Sequence, residues 1–202
     1  MMKINFSQFG QTLIDEDDKL GLIPLISNLS ELNIWEHENI IDGRRWALNK
    51  RVLNHYEIFD IDFLLLLHKK MFGKVWKWAG ELRKSDKNIG CDYTQIRVEL
   101  KKLCDDSQYW LKNNIYSIQQ IALIFHHKLV KIHLFSNGNG RHARLVCDCI
   151  IKKYSDSKNN IKKINWRANE IDSTTELRKK YVEALRQADK GDYNELFKMF
   201  LN

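Results

Sequence analysis

The chain has one proline, Pro24, and only nine glycines in 202 residues. Few residues therefore force a helix to stop, and a mainly helical protein is expected. The longest uninterrupted apolar run is Phe63 to Leu67, which is too short to span a bilayer. The first residues include Asp15-Glu-Asp-Asp18 and lack the basic, apolar and small-residue zones of a secretory leader. The four cysteines, Cys91, Cys104, Cys147 and Cys149, form no C-x-x-C pair, and Cys147 and Cys149 point to different sides of one helix. That spacing offers neither a disulfide framework nor a thiolate metal site, so reduced thiols in a cytoplasmic protein are expected. No repeat or low-complexity segment is present.

What is present is a core and an excess of positive charge. Hydrophobic residues make up 44% of the chain and the formal net charge is +7. The length suits one sizeable core, and this apolar content excludes a disordered chain. The lysines are scattered in pairs, as at Lys101-Lys102 and Lys179-Lys180, with no aromatic-interleaved basic stripe. A solvated basic surface is the first reading; attraction to nucleotides or an acidic partner is a second, and nucleic-acid binding a minor one. Apolar periodicity predicts helices near 30–50, 60–72, 97–113, 117–132, 140–155 and 174–188, and a short one near 192–200. Asp60 and Ser117 are expected caps. Residues 155–160 read as a short polar link between helices. Glu81 to Ile96 lacks helical spacing and reads as two short strands or a surface loop.

Residues 133–144 read His-Leu-Phe-Ser-Asn-Gly-Asn-Gly-Arg-His-Ala-Arg. Helical patterns on both sides place this cluster in a helix–loop–helix, the second helix starting near Gly140. A helix start presents unpaired N–H groups and partial positive charge, and glycines there admit an anion close to the backbone. Arg141 and Arg144 share a face of the first turn and suit bidentate phosphate contacts. His133 lies where the first helix gives way to the loop, within reach of a substrate. Two plainer readings fit less well. Asn-Gly hairpins need period-two flanks. The match of Gly138-x-Gly140-x-x-Ala143 to a dinucleotide fingerprint needs a preceding strand. His126, His127 and His142 read as structural.

These residues resemble the Fic (Fic/Doc) family of protein adenylyltransferases, whose motif is His-Pro-Phe-x-Asp/Glu-Gly-Asn-Gly-Arg-x-x-Arg. The match holds at His133, Phe135, Gly138, Asn139, Gly140, Arg141 and Arg144; Leu134 replaces the proline and Asn137 the acidic residue. Gly21-Leu-Ile-Pro24, Trp35-Glu-His-Glu-Asn39, Phe72-Gly-Lys-Val-Trp-Lys-Trp-Ala-Gly80 and Lys87-Asn-Ile-Gly90 are similar to the bacterial subgroup called mobile mystery protein B. The resemblance implies a single mainly α Fic-type bundle with a small β-hairpin flap. It places an N-terminal extension at 1–29 and a Fic domain at 30–202, with its flap at 81–96 and its core motif at 133–144.

The resemblance also implies AMP transfer from ATP to a Ser, Thr or Tyr hydroxyl of a target protein docked on the flap by strand addition. His133 is the expected base. Gly138, Asn139, Gly140 and Arg141 are the expected phosphate donors, with Arg144 on the terminal phosphate and Phe135 anchoring the loop inward. The family's acidic residue at position 137 holds Mg2+, and Asn137 offers that metal a single neutral oxygen. Glu38 lies on the helix stripe of Ile34, Trp35, Ile41 and Arg45, which is expected to be buried. Glu38-Asn39 fits the end of the family's inhibitory helix pattern, although Ile34 stands at the Ser/Thr position. Residues 30–50 are therefore a candidate inhibitory helix with Glu38 paired to Arg144. A separate antitoxin is the other expected source of inhibition, the protein then being the toxin of a toxin–antitoxin pair. Two other functions stay open: a Fic-like phosphotransferase with the nucleotide reversed, and a nucleotide-binding interaction module with little catalysis.

Overall fold

The computed structural model describes residues 19–155, 163–167, 171, 172 and 175–201. Eight α-helices are resolved among these residues: α1 (Leu29–Ala47), α2 (Lys50–His55), α3 (Ile61–Phe72), α4 (Ile96–Lys112), α5 (Ile118–Ile132), α6 (Asn139–Tyr154), α7 (Glu176–Asp189) and α8 (Asn194–Leu201). The predicted 30–50 helix is two helices. Asn49 adopts an extended conformation and its side chain accepts from the Arg51 N–H, which caps a new helix. The other predicted helices are present. Asp60 caps α3 through the N–H groups of Asp62 and Phe63. Ser117 and Gln120 form a reciprocal capping box at α5. Most of the predicted 1–29 extension and of the 155–160 link lies outside the described residues.

The helix pair α5–α6 forms the centre. In α5 every residue from Ile121 to His127 is buried, and in α6 every residue from His142 to Cys147 is buried. A helix buried on all sides belongs in the middle of a bundle. The pair packs together extensively, with α4, α3 and the α7–α8 pair around it. Three histidines cross-tie this interior. His142 donates through Nε2 to the Leu64 carbonyl at 3.0 Å. His126 and His127 lie 3.0 Å from the hydroxyls of Tyr181 and Tyr193. Cys104, Cys147 and Cys149 are free and buried, and burial pushes their thiols up, Cys104 to about 12.

The packing of α1 corrects the expected stripe. Its buried face is Leu32, Glu36, Asn39, Gly43 and Ala47. Ile34 and Ile41 are 58% and 43% exposed, and Glu38 is exposed between them. The cause is close approach to α3. A Cβ on Gly43 would meet Met71 Cα at 2.9 Å. The amide of Asn39 donates to the Lys70 carbonyl at 3.0 Å and accepts from the Lys74 N–H at 2.9 Å. Small and polar side chains permit this crossing, and branched apolar ones do not.

The expected β-hairpin flap is also corrected. Residues 81–92 form turns and bends, followed by a 3-10 turn at Tyr93–Gln95 capped by Asp92. Among the described residues the only β-bridge joins Leu22 to Trp76, outside this segment. Strand pairing is replaced by a buried arginine, Arg83, whose guanidinium takes carbonyls from both ends of the loop. No hairpin edge is present there to receive a target strand.

Candidate active site

His133 is the C-cap of α5. Its φ of 60° and ψ of 68° place a branched-ring residue in the left-handed region. That conformation costs an L-residue about 1–2 kcal/mol, so surrounding contacts must hold it. They are dense. The Arg83 Nε donates to the His133 carbonyl at 2.6 Å, and the His133 N–H donates to Leu129 at 3.0 Å. A Cβ on Gly90 would meet the His133 Cβ at 2.7 Å. His133 is 3% exposed. Burial lowers the imidazole to about 4, with Arg83 and Lys87 adding to the effect against a raising bond to Val130. The ring is therefore neutral at pH 7. Nδ1 lies 3.4 Å from the Val130 carbonyl, which can only accept, so Nδ1 carries the hydrogen and Nε2 the lone pair.

The loop after His133 is rigid for local reasons. Leu134 and Phe135 are buried. The Asn139 side chain clamps Phe135, accepting from its N–H at 2.9 Å and donating to its carbonyl at 2.7 Å. Both ends of this amide are thus engaged within the loop, and the backbone is what Asn139 offers an anion. Phe135 stacks on His68 with ring centroids 3.6 Å apart. His68 donates through Nε2 to the Asn137 carbonyl at 3.1 Å and accepts at Nδ1 from the Gly80 N–H at 3.0 Å. Burial holds His68 neutral, as both bonds require.

The start of α6 is bare. Gly138 is the N-cap at φ 79°, and no side chain caps the helix. Gly138 is also a packing requirement, because a Cβ there would enter the Phe72 ring at 2.6 Å. Gly140 differs: a Cβ there would meet nothing nearer than Arg144 NH1 at 3.8 Å among the described residues. Packing does not demand a glycine at 140, and the space beside it leaves the backbone open to close approach by a ligand.

Both motif arginines hold carboxylates. Arg141 lies over the Phe72 ring and donates to Glu36 Oε2 at 2.6 Å, while Trp76 Nε1 donates to Glu36 Oε1 at 2.7 Å. Arg144 donates from NH2 to both oxygens of Asp172 at 2.6 Å. The expected partner of Arg144, Glu38, is exposed on the opposite face of α1. Glu36 is the buried carboxylate of that helix, and it meets Arg141. Asn137 turns its Oδ1 onto the Gly138 N–H at 2.5 Å. No group of three or more His, Cys, Asp or Glu that could hold a metal ion occurs among the described residues. One neutral oxygen already in use is a poor holder for a hard cation such as Mg2+.

Four residues of this site escaped the sequence reading: Glu36, His68, Arg83 and Asp172. His68 had a readable signal, since it recurs with Phe63, Leu64, Leu67 and Met71 on the buried face of α3. Arg83 and Asp172 act across the fold and had none.

Residues 58–151 match the model of the Fic/DOC family. A protein adenylyltransferase Fic of Aedes aegypti is 26% identical over 166 residues, covering 79% of this chain and 31% of its own length. The chain thus spans about a third of that relative. In fold it is similar to Fic-1 of C. elegans, with a TM-score of 0.60 and 24% identity over 90% of this chain and 51% of that one. It is also similar to the BepC protein of Bartonella tribocorum, solved with bound AMPPNP, with a TM-score of 0.57 and 19% identity over 86% of each chain. No helix among the described residues is long and apolar enough to cross a membrane.

Proposed function

We propose that this protein transfers AMP from ATP to a hydroxyl side chain of a target protein. The observation that carries the reading is the uncapped start of α6, with open space at Gly140 and two arginines, fixed by a rigid loop to a neutral histidine. The relatives named as adenylyltransferases and the AMPPNP-bound structure support it from outside the chain.

In the reaction the target oxygen attacks the α-phosphorus of ATP. The bond from that phosphorus to the bridging oxygen breaks, pyrophosphate leaves, and the hydroxyl proton passes to Nε2 of His133. A hydroxyl is a poor nucleophile until a base takes its proton, and a neutral imidazole has the lone pair to take it. The backbone at Gly138–Gly140 and the Arg141 fork receive the charge that shifts onto the phosphate oxygens. Arg144 takes the terminal phosphates. Polyphosphate would replace Glu36 and Asp172 on the two arginines, so these carboxylates compete with the nucleotide. Glu36, on α1, takes over the regulatory role first read at Glu38. Magnesium would arrive with the nucleotide. Gly90 lies against His133, and the stretch between the Arg83-held carbonyls of Ser85 and Cys91 is the part that would open for a target hydroxyl to reach the ring.

The finer placement, in the mobile mystery protein B subgroup and as the cytoplasmic toxin of a toxin–antitoxin pair, rests on the sequence motifs quoted above. ATP labelled in turn at the α and γ positions tests the reaction. Protein-bound label from the α position alone is expected. Label from γ alone would assign a phosphotransferase, and nucleotide binding without label an interaction module.

A further inference from the structure

Arg83 lies fifty residues before the motif histidine, yet its side chain is wholly buried. Its acidic neighbour, Asp86, is 3.3 Å away and largely exposed, a weak partner for a buried cation. Its main partners are carbonyls. Nε donates to His133 at 2.6 Å, NH1 to Ser85 at 2.9 Å, and NH2 to Cys91 and, at 3.4 Å, to Ile132. The Arg83 backbone N–H adds Leu134 at 2.9 Å. The carbonyls of Ile132, His133 and Leu134 therefore all end on this one residue. They belong to the last residue of α5, its cap and the residue after it, where carbonyls lack helical partners. Ser85 and Cys91 belong to the loop over the base. Gly90 makes the junction possible, since a Cβ there would lie 2.8 Å from Arg83 NH2 and 2.7 Å from the His133 Cβ.

We propose that Arg83 is a positioning residue for the transfer reaction: its fork holds the left-handed turn at His133 and thereby the direction of the imidazole, and ties the covering loop to that base. The inference rests on His133 being the base of the proposed function. It requires an arginine. A planar guanidinium reaches several carbonyls at once, whereas an ammonium is a point charge that cannot span them. The nucleotide cradle is built by other contacts, the Asn139–Phe135 clamp and the His68 strut, so Arg83 acts on the base and not on nucleotide affinity.

The test compares Arg83→Lys with wild type by AMP-transfer kinetics per folded molecule, ATP calorimetry and the imidazole 1H–15N NMR signals of His133. The expected result is a fall in kcat of about thirtyfold or more, ATP affinity within about twofold of wild type, and displaced His133 signals. Added methylguanidinium should restore part of the rate in Arg83→Ala. A folded Arg83→Lys with wild-type kcat and unmoved His133 signals overturns the proposal. If Arg83 variants fail to fold, Gly90→Ala presses on the same pair from the loop side and should give the same split between rate and affinity; equal losses in both would overturn it too. If wild type transfers no AMP, the proposed function fails, and the His133 signals alone then decide whether Arg83 sets the imidazole.

Discussion

The two sides of the 133–144 motif are held by different physics. On the histidine side, His133 is buried, neutral and fixed by backbone contacts: the Arg83 fork on its carbonyl, the α5 hydrogen bond to its N–H, and the packed loop behind Phe135. On the arginine side, Arg141 and Arg144 are fixed by charge. Each carries a carboxylate at 2.6 Å, and Asp172 is 42% exposed. Backbone contacts of the first kind persist whether or not a ligand is present. Ion pairs of the second kind can be exchanged for another anion. The base is thus set by the fold, and the phosphate site is held in a form that a polyphosphate can take over.

Breaking the histidine side should have the largest effect. His133→Ala is expected to lower transfer by at least about a hundredfold, the usual contribution of a general base, while ATP affinity by calorimetry stays near wild type. Loss of both together would mean that the histidine supports the cradle instead.

Acid separates the two sides next. His133 and His142 are lowered to about 4 by burial, and His68 and His126 are lowered well below the ordinary value by the same cause. An unfolded histidine takes up a proton below pH ~6.5, whereas these folded ones do not until near pH 4. Stability is therefore full above pH ~6.5 and falls as pH drops from there toward 4, by up to about 3 kcal/mol for each of the two numbered groups. Denaturant melts from pH 7.5 to 4.5 should show this slope. Transfer should stay flat through pH 6.5 while the fold persists. A midpoint at 6.5 in the rate would show that His133 titrates as a solvated ring.

The arginine side should respond in affinity. Arg141→Ala and Arg144→Ala are each expected to weaken ATP binding about tenfold or more, as loss of charge-assisted bonds does, with Lys restoring only part. Unchanged calorimetric affinity in both would remove the start of α6 from the phosphate site. The carboxylates should move affinity the other way. Glu36→Gln keeps an acceptor for Trp76, and both it and Asp172→Asn should tighten ATP severalfold by removing a competing charge. Weaker binding in these variants would make the carboxylates supports for the arginines. The smallest effect is expected at Asn137→Asp, a rise of about twofold in rate at limiting magnesium from an added charged ligand. Magnesium titrations that overlay wild type would place residue 137 away from the metal.

What the sequence made legible follows this same division. The helices, the Asp60 and Ser117 caps and the helix–loop–helix around the motif were readable, because period 3.6 and cap chemistry are local. The face of α1 was not. Its buried residues, Glu36, Asn39 and Gly43, are chosen for close approach to α3, and hydrophobicity pointed to the wrong stripe. Residues 81–92 lack helix as expected, but Tyr93–Gln95 form a 3-10 turn, Ile96 opens α4 and the expected strand pair is absent; a loop built on one buried arginine cannot be seen in alternation patterns. Asp172 and Arg83 reach the site from 28 and 50 residues away, and no spacing rule links them to it.

The most direct test of the central claim uses wild-type and His133→Ala protein incubated with ATP labelled at the α-phosphate, with protein-bound radioactivity as the readout. The account predicts label on wild-type samples, none from γ-labelled ATP, and near-complete loss in His133→Ala despite retained ATP binding. Label arriving from the γ-phosphate, or undiminished α-label in His133→Ala, would contradict it.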